Sequence, residues 1–434
     1  MNGLNATHDP ARRSWLASAN DPATDFPIQN LPFGVYRDAD GVARGAVAIG
    51  DQVVNIAQAR AAGLFTGKGN EAAALAEGPV LNPLLAAGAP YASALRAQLA
   101  TLLDGAKGDS EKRAALGACL VPMRFAEMLV PVAIGQFSDF LGSLDHTLRM
   151  GRGQLPKAFK HLPIAYNGRA SSIVVSGTSI VRPTGTYNRG DAVEFGPEPA
   201  LDFELELGAF IGPGNALGKP FALHAADQHQ FGVVLLNDWS ARGMQMFEST
   251  PLGPFLGKSF ATTISPWIVT MEALLPFRVP APVRDHGDPE PAYLTSREHG
   301  ASGALDIELY AALQTPKMRK AGVPPMALTT SQFRDMYWTF AQMITHHASN
   351  GCNFMSGDLV GSGTTSGVPD TTRACLAEIT ARGTAPLEMP NGELRAWLED
   401  GDEVVLRGRT THRDFVPIGF GECRGRIAAA VKPA

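Results

Sequence analysis

The chain has 434 residues, 45% hydrophobic and 18% charged, which is ample material for packed cores and excludes a disordered polypeptide. That length exceeds one ordinary core and predicts two domains, one of them large. A formal charge of −5 with no run of Lys and Arg removes the electrostatic basis for nucleic-acid binding, yet leaves room for an acidic substrate held by a few local cations.

The opening residues MNGLNATHDPARRSWLAS hold no apolar stretch of signal-peptide length. No run approaches the roughly 20 apolar residues of a membrane span, so no membrane partner is expected and the expected location is the cytoplasm. Cys119, Cys352, Cys375 and Cys423 are widely spaced and form no C-x-x-C pair, which predicts neither a disulfide framework nor a zinc ribbon. In residues 31–57, β-rich runs at 33–36, 46–49 and 52–56 are separated by Asp/Gly turns and predict a small antiparallel sheet or barrel. Ala- and Leu-rich sequence over 71–103 predicts helices broken near Pro83 and Pro90, and the polar stretch 105–113 reads as a domain linker.

Beyond Val121 strand-like runs dominate, at 172–175, 201–211, 231–236 and 267–269, as in a β-rich domain whose loops carry the chemistry. Asp139 lies in GQFSDFLGSLDH, and His146 follows it by seven residues in what reads as a Gly/Ser-containing loop. In LDFELELGAF, Leu201, Phe203, Leu205 and Leu207 alternate with Asp202, Glu204 and Glu206, so a strand would carry one apolar and one acidic face. Same-face neighbours on a strand stand roughly 6.5–7 Å apart. Three such acids are either a solvated surface or ligands for a hard cation whose charge removes their repulsion. Asp238 ends the apolar run FGVVLLNDW, where a buried strand emerges. Asp238, Arg242 and Gln245 fall at helical steps, and Lys258 follows a rigid Pro/Gly loop from which it could stabilise an oxyanion. Residues 276–300 read as an exposed loop or irregular hairpin. A helix is expected through Phe333, Met336, Tyr337, Phe340, Met343, Ile344 and His347, capped by Thr330 or Ser331 and ended at Asn350–Gly351. If His146 is a general base it needs an orienting carboxylate. Glu378, alternating with Leu376 on an expected strand, is one candidate beside Glu399 and Glu422.

Taken together and in order, DFPIQNLPFGVY (25–36), HLPIAYNGRASSIVVSGTSIVRP (161–183), LDFELELGAFIGPGN (201–215), NDWSAR (237–242), PLGPFLGKSFATTISPW (251–267), THHASNGCN (345–353) and GDLVGSGTTSG (357–367) resemble the fumarylacetoacetase family. The resemblance implies a β-rich α+β fold. A small SH3-like amino-terminal barrel with a helical extension would occupy residues 1–118. A large mixed-sheet β-roll catalytic domain would occupy residues 119–434. It further implies a homodimer that hydrolyses a small acidic diketone, 4-fumarylacetoacetate, to fumarate and acetoacetate, the last step of tyrosine and phenylalanine breakdown, with Mg²⁺ or Ca²⁺ as cofactor.

Matched position by position, Asp139, Glu204, Glu206 and Asp238 correspond to the metal carboxylates, with Lys258 and Thr262 beside the metal. His146 and Glu378 correspond to the water-activating pair, and Arg242, Gln245 and Lys258 to polar groups lining the site. Tyr166, Arg152, Gln245 and Thr364 correspond to substrate contacts. The pattern is broken at Leu141 and Ser249, where animal members of the family carry tyrosines, at Gly243, which replaces an acid, and in the shortened loop before Arg152. These departures keep open a related activity on the same fold, such as an acylpyruvate hydrolase or a decarboxylase or isomerase of 2-oxo acids. A metal-stabilised binding protein without catalysis is the third reading.

Overall fold

The β-branched runs near the amino terminus become three strands, Phe33–Arg37, Ala43–Ile49 and Gln52–Asn55, joined by the expected tight turns. A computed structural model of the chain describes residues 3–106 and 109–431. Two strands beyond residue 118 complete this antiparallel sheet: Leu120–Pro122 beside Gln52–Asn55, and Glu127–Leu129 beside Phe33–Arg37. These two edges are consecutive in sequence and joined by the turn Met123–Phe125. A flat five-stranded sheet is roughly 19 Å wide, more than so short a turn can span, so the sheet must curl.

Helices Gly67–Ala76, Asn82–Ala87 and Ala89–Leu103 pack beside it. Pro83 and Pro90 fall in first turns, where a missing N–H leaves no bond unmade. The expected linker at 105–113 is corrected in part. Residues 107 and 108 lie outside the described residues, but from Ser110 the chain is helical to Gly117, capped by the Asp109 carboxylate.

The larger part is built on an eight-stranded mixed sheet. Its order is Ala165–Gly168, Phe137–Phe140, Leu359–Gly361, Leu205–Ile211, Gln230–Asp238, Thr262–Ile264 and Ile173–Val175, with Val269–Thr270 also pairing to Gln230–Asp238. Both faces are covered. Leu205, Leu207, Val233 and Leu235 join a core with Leu309, Leu406 and Phe420 of a second, five-stranded sheet. Phe137, Phe210, Val234, Leu236 and Leu359 pack against the amino-terminal part. Burial on both sides is why the central strands are almost uninterrupted runs of apolar residues.

Three expectations change. Residues 201–211 are not one strand: Leu201–Asp202 pairs with Ser240–Ala241, the chain breaks at Phe203–Glu204, and Leu205 starts the central strand. Thr330 and Ser331 lie in the strand Met326–Gln332, and the helix starts only at Phe340, capped by a Thr339/Gln342 box, because apolar periodicity runs on through a short turn at Phe333–Asp335. Residues 276–300 are mostly irregular, with a helix, Arg297–Ser302, at their end. Among the described residues no helix is long and apolar enough to cross a membrane.

Candidate metal and catalytic site

The acids meet at one end of the large sheet. Asp139 pairs with Tyr166 on one side and Gly361 on the other, so it stands beside the central strands. A side chain at 361 would put its Cβ 2.3 Å from Asp139 Oδ1, so glycine there leaves the carboxylate its space. Glu206 lies on the central strand, Glu204 at the break before it, and Asp238 at the end of the neighbouring strand. Ligand oxygens of Asp139, Glu204 and Glu206 lie within 4.8 Å of one another, and all three residues are buried.

Gly363 N–H donates to Glu206 Oε2 at 3.0 Å. Glu206 Oε1 and Asp139 Oδ1 are buried with no hydrogen-bond partner. Burial, then the neighbouring acids, push the carboxyls of Asp139 and Glu206 well above the usual range. Buried carboxylate oxygens without donors carry a large desolvation cost, which a hard cation would remove. The donor set therefore fits Mg²⁺ or Ca²⁺. Asp238 is held one step away, through Lys258.

Lys258 sits on the short helix Leu256–Ser259, which corrects the expected loop, and its Nζ donates to Glu204 Oε2 at 2.5 Å and Asp238 Oδ2 at 2.7 Å. Burial disfavours this ammonium, but Asp238 and Glu204 outweigh it and push the lysine up. Thr262 Oγ1 donates to Asp238 Oδ1 at 2.9 Å, and the Tyr166 hydroxyl to Asp238 Oδ2 at 2.7 Å. Arg242, at the start of the helix Arg242–Glu248, ion-pairs with Glu204 at 2.8 Å and reaches Gln245 Oε1 at 3.2 Å. Asp238 ends a strand instead of sharing that helix. Burial acts to raise Glu204, but Lys258 and Arg242 prevail and hold it below the ordinary range.

The second half of the site lies across Glu204, whose backbone forms a bridge with Cys375. His146 is on a helix, Leu144–Met150, and not in a loop, because Ser143 caps the start by accepting the His146 N–H. Glu378 is likewise on a short helix, Leu376–Ile379, and not on a strand. The two meet at 2.5 Å through His146 Nδ1 and Glu378 Oε1, leaving Nε2 for proton exchange. Ser366 Oγ donates to the same carboxylate oxygen at 2.6 Å, and Arg149 Nη1 to the other at 3.1 Å. Burial opposes ionisation of Glu378, yet His146, Ser366 and Arg149 together draw its pKa down to about 2. Of the alternative acids, Glu422 pairs with Arg407 and Arg424, and Glu399 with Arg395, in ion pairs away from the imidazole.

Thr364 is buried, between Gly363 on Glu206 and Thr365 on the Leu205 carbonyl. Arg152 is exposed in a turn at φ +53°, so its side chain is not locked into the site. Leu141 packs half-buried on the core, and the Ser249 hydroxyl turns back to the Gln245 carbonyl. At Gly243, buried Glu198 accepts the N–H groups of Gly243 at 3.0 Å and Met244 at 2.9 Å, and a Cβ at 243 would stand 2.7 Å from it. Sequence reasoning missed Glu198, Ser366 and Arg149, and read Asp202 as one of three like acids, whereas backbone N–H groups and Arg242 saturate it. Arg149 and Glu198 act through partners 229 and 45 residues away, and Ser366 acts through a carboxylate twelve residues on that belongs to a different element.

Comparison with known proteins bears on the whole chain. Residues 136–428 match the family described as fumarylacetoacetate (FAA) hydrolase C-terminal, and residues 29–131 match fumarylacetoacetase N-terminal. The chain is 44% identical to a fumarylacetoacetase of Arabidopsis thaliana over 95% of its length and 98% of the relative's. It is 42% identical to one of Oryza sativa subsp. japonica (96% and 98%) and 40% identical to one of Homo sapiens (97% and 100%). In fold it resembles the solved structure of a fumarylacetoacetate hydrolase from Exiguobacterium antarcticum, with a TM-score of 0.51 and 16% identity, covering 92% of this chain and 99% of that one.

Proposed function

Because the chain belongs to the fumarylacetoacetase family, and is with it a hydrolase of carbon–carbon bonds, we propose that it converts 4-fumarylacetoacetate and water to fumarate and acetoacetate in tyrosine and phenylalanine breakdown. His146 Nε2 takes a proton from water, and the hydroxide oxygen bonds to the carbonyl carbon of the fumaryl end. Glu378 holds Nδ1 and balances the charge the ring acquires. Lys258 has one N–H left after serving Glu204 and Asp238, and with Arg242 and Gln245 it stabilises the oxyanion. The carbon–carbon bond then breaks. Its electron pair leaves on the acetoacetate fragment as an enolate, whose carbon takes the proton that His146 removed from water, which restores the neutral ring. Asp139, Glu204 and Glu206, with Asp238 at their edge, would hold Mg²⁺ or Ca²⁺, which when bound supplies Lewis-acid stabilisation of charge on the diketone oxygens. Tyr166 and Thr364, and Arg152 from the exposed turn, are assigned to substrate.

The observation that carries this reading is the imidazole gripped by Glu378 beside a buried group of carboxylates with two oxygens unpartnered. The test is turnover of fumarylacetoacetate, followed by loss of diketone absorbance. Activity should disappear with chelator and return with Mg²⁺ or Ca²⁺. A metal-loaded protein that leaves the diketone intact rejects the reading. Leu141 and the inward-turned Ser249 favour one alternative, a related enzyme on the same fold such as an acylpyruvate hydrolase or a decarboxylase or isomerase of 2-oxo acids, which a kcat/KM comparison across a diketone panel decides.

The curled amino-terminal sheet is read as an SH3-like barrel. A homodimer is supported by exposed Val193 and Phe195 on the hairpin Thr184–Arg189/Ala192–Pro197 and by Met246, Leu252 and Phe255 near the helix it packs against. Sedimentation of the full chain at twice the monomer mass would agree, and monomer mass at micromolar concentration would reject it.

A further inference from the structure

Three residues after His146 on the same short helix, and so on the same face, stands Arg149. Its guanidinium divides its hydrogen bonds between two targets. Nη1 donates to Glu378 Oε2 at 3.1 Å, and Nη2 donates to the carbonyls of Gly367 at 2.9 Å and Val368 at 2.7 Å. The other oxygen of Glu378 is already taken by His146 and Ser366. The carboxylate is therefore gripped from both sides, with an imidazole on one oxygen and a guanidinium on the other. Gly367 and Val368 continue the segment whose Gly363 holds Glu206 and whose Ser366 holds Glu378. One side chain thus ties together the helix of the base, the acid that orients the base, and the segment that touches the acid cluster. Glu378 is fully buried while Arg149 is 23% exposed, so the guanidinium forms the outer wall of this corner.

We propose that Arg149 is a positioning residue, fixing the Glu378 carboxylate and through it the setting of the His146 ring. Held at Oε1 alone, by His146 and Ser366, the carboxylate could still pivot about that oxygen, whereas one N–H of an always charged, planar guanidinium, itself fixed by two carbonyls, pins the second oxygen. Lysine supplies charge but not the fork, and it cannot reach the carboxylate and two carbonyls in one plane.

This inference rests on the proposed hydrolysis, so its test includes a reading that needs no substrate. In the metal-loaded full chain, Arg149→Ala should lower kcat roughly 10- to 100-fold, the range for a residue that orients a catalytic or metal-bound group, with KM within about twofold. Arg149→Lys should recover only part of the loss. Millimolar guanidinium should raise kcat in Arg149→Ala, where a partly exposed space is left, and should not raise it in His146→Ala. The ¹³Cε1 resonance of His146, assigned by its disappearance in His146→Ala, should shift in Arg149→Ala without substrate. An unmoved resonance overturns the proposal even where the wild type fails to turn over this diketone. A wild-type kcat in Arg149→Ala or Arg149→Lys overturns it as well, and so does a rise in KM at constant kcat, which would make Arg149 a substrate contact.

Discussion

Asp202 and Glu206 stand four residues apart in one acidic run, and both are fully buried, but their surroundings are opposite. Asp202 is satisfied. It accepts from Arg242 Nε at 2.9 Å and from the N–H groups of Phe203, Leu376 and Ala377 at 2.7–3.0 Å. Glu206 accepts one backbone N–H, keeps an oxygen with no donor, and faces Asp139. The difference shows how one kind of side chain serves architecture when donors saturate it and is left with an unmatched lone pair, of the kind a cation could take, when they do not. Asp202 anchors Arg242 and the start of the Glu378 helix, so the satisfied acid holds the frame around the unsatisfied one.

The comparison can be broken most forcefully at Asp202. Asp202→Ala leaves buried Arg242 without its main partner and should destabilise the fold by roughly 3–5 kcal/mol. Urea unfolding that shows a loss below about 1 kcal/mol would contradict its structural role. Glu206→Gln should do the reverse: a folded protein with kcat lowered roughly 10³-fold, about 4 kcal/mol in barrier height, and with a cation-free stability equal to or above wild type because one like charge is gone. Should its stability collapse instead, the two acids are not different in kind.

Glu378 sharpens the same contrast through pH. Its folded pKa of about 2 lies below the ordinary 4.5, so the stability it contributes is fully present above 4.5 and is lost as pH falls through 2. The gap in unfolding free energy between wild type and Glu378→Gln, roughly 3 kcal/mol at pH 7, should close across that window. A gap independent of pH would mean the carboxylate's charge is not what matters.

The smallest effect is cation binding itself. Asp139 and Glu206 are raised, so their ionisation costs stability, absent below the unfolded carboxylate range and growing as pH rises toward their folded values. Mg²⁺ or Ca²⁺ at a hundred times Kd should therefore add about 2.7 kcal/mol at neutral pH. Calorimetry should show this for wild type and not for Glu206→Gln.

Much of this was legible in sequence. Alternation and turn residues marked the amino-terminal strands, and Pro83 and Pro90 marked helix starts to within a residue or two. The ordered motifs pointed to the family that the comparisons establish. Around the His146–Glu378 pair the sequence suggests a loop and a strand where the structure has short helices, because helices of one to two turns are too short for periodicity to declare. The helix that the spacing predicts from Phe333 starts only at Phe340 for a related reason: apolar spacing persists through a turn that packs on the same core.

The sequence by itself determined which residue types stood available, and that the acids of 202–206 sit on alternate positions of an extended segment. It did not distinguish a solvated acidic face from a buried one. Only the tertiary structure decided that, by breaking the segment at Phe203–Glu204, bringing Gly361 and Gly363 beside Asp139 and Glu206, and closing His146 and Arg149 onto Glu378 from more than two hundred residues away. The reason is physical. Desolvation, orphaned lone pairs and shared charge depend on neighbours in space, and the chain supplies those neighbours from segments that carry no mark of one another.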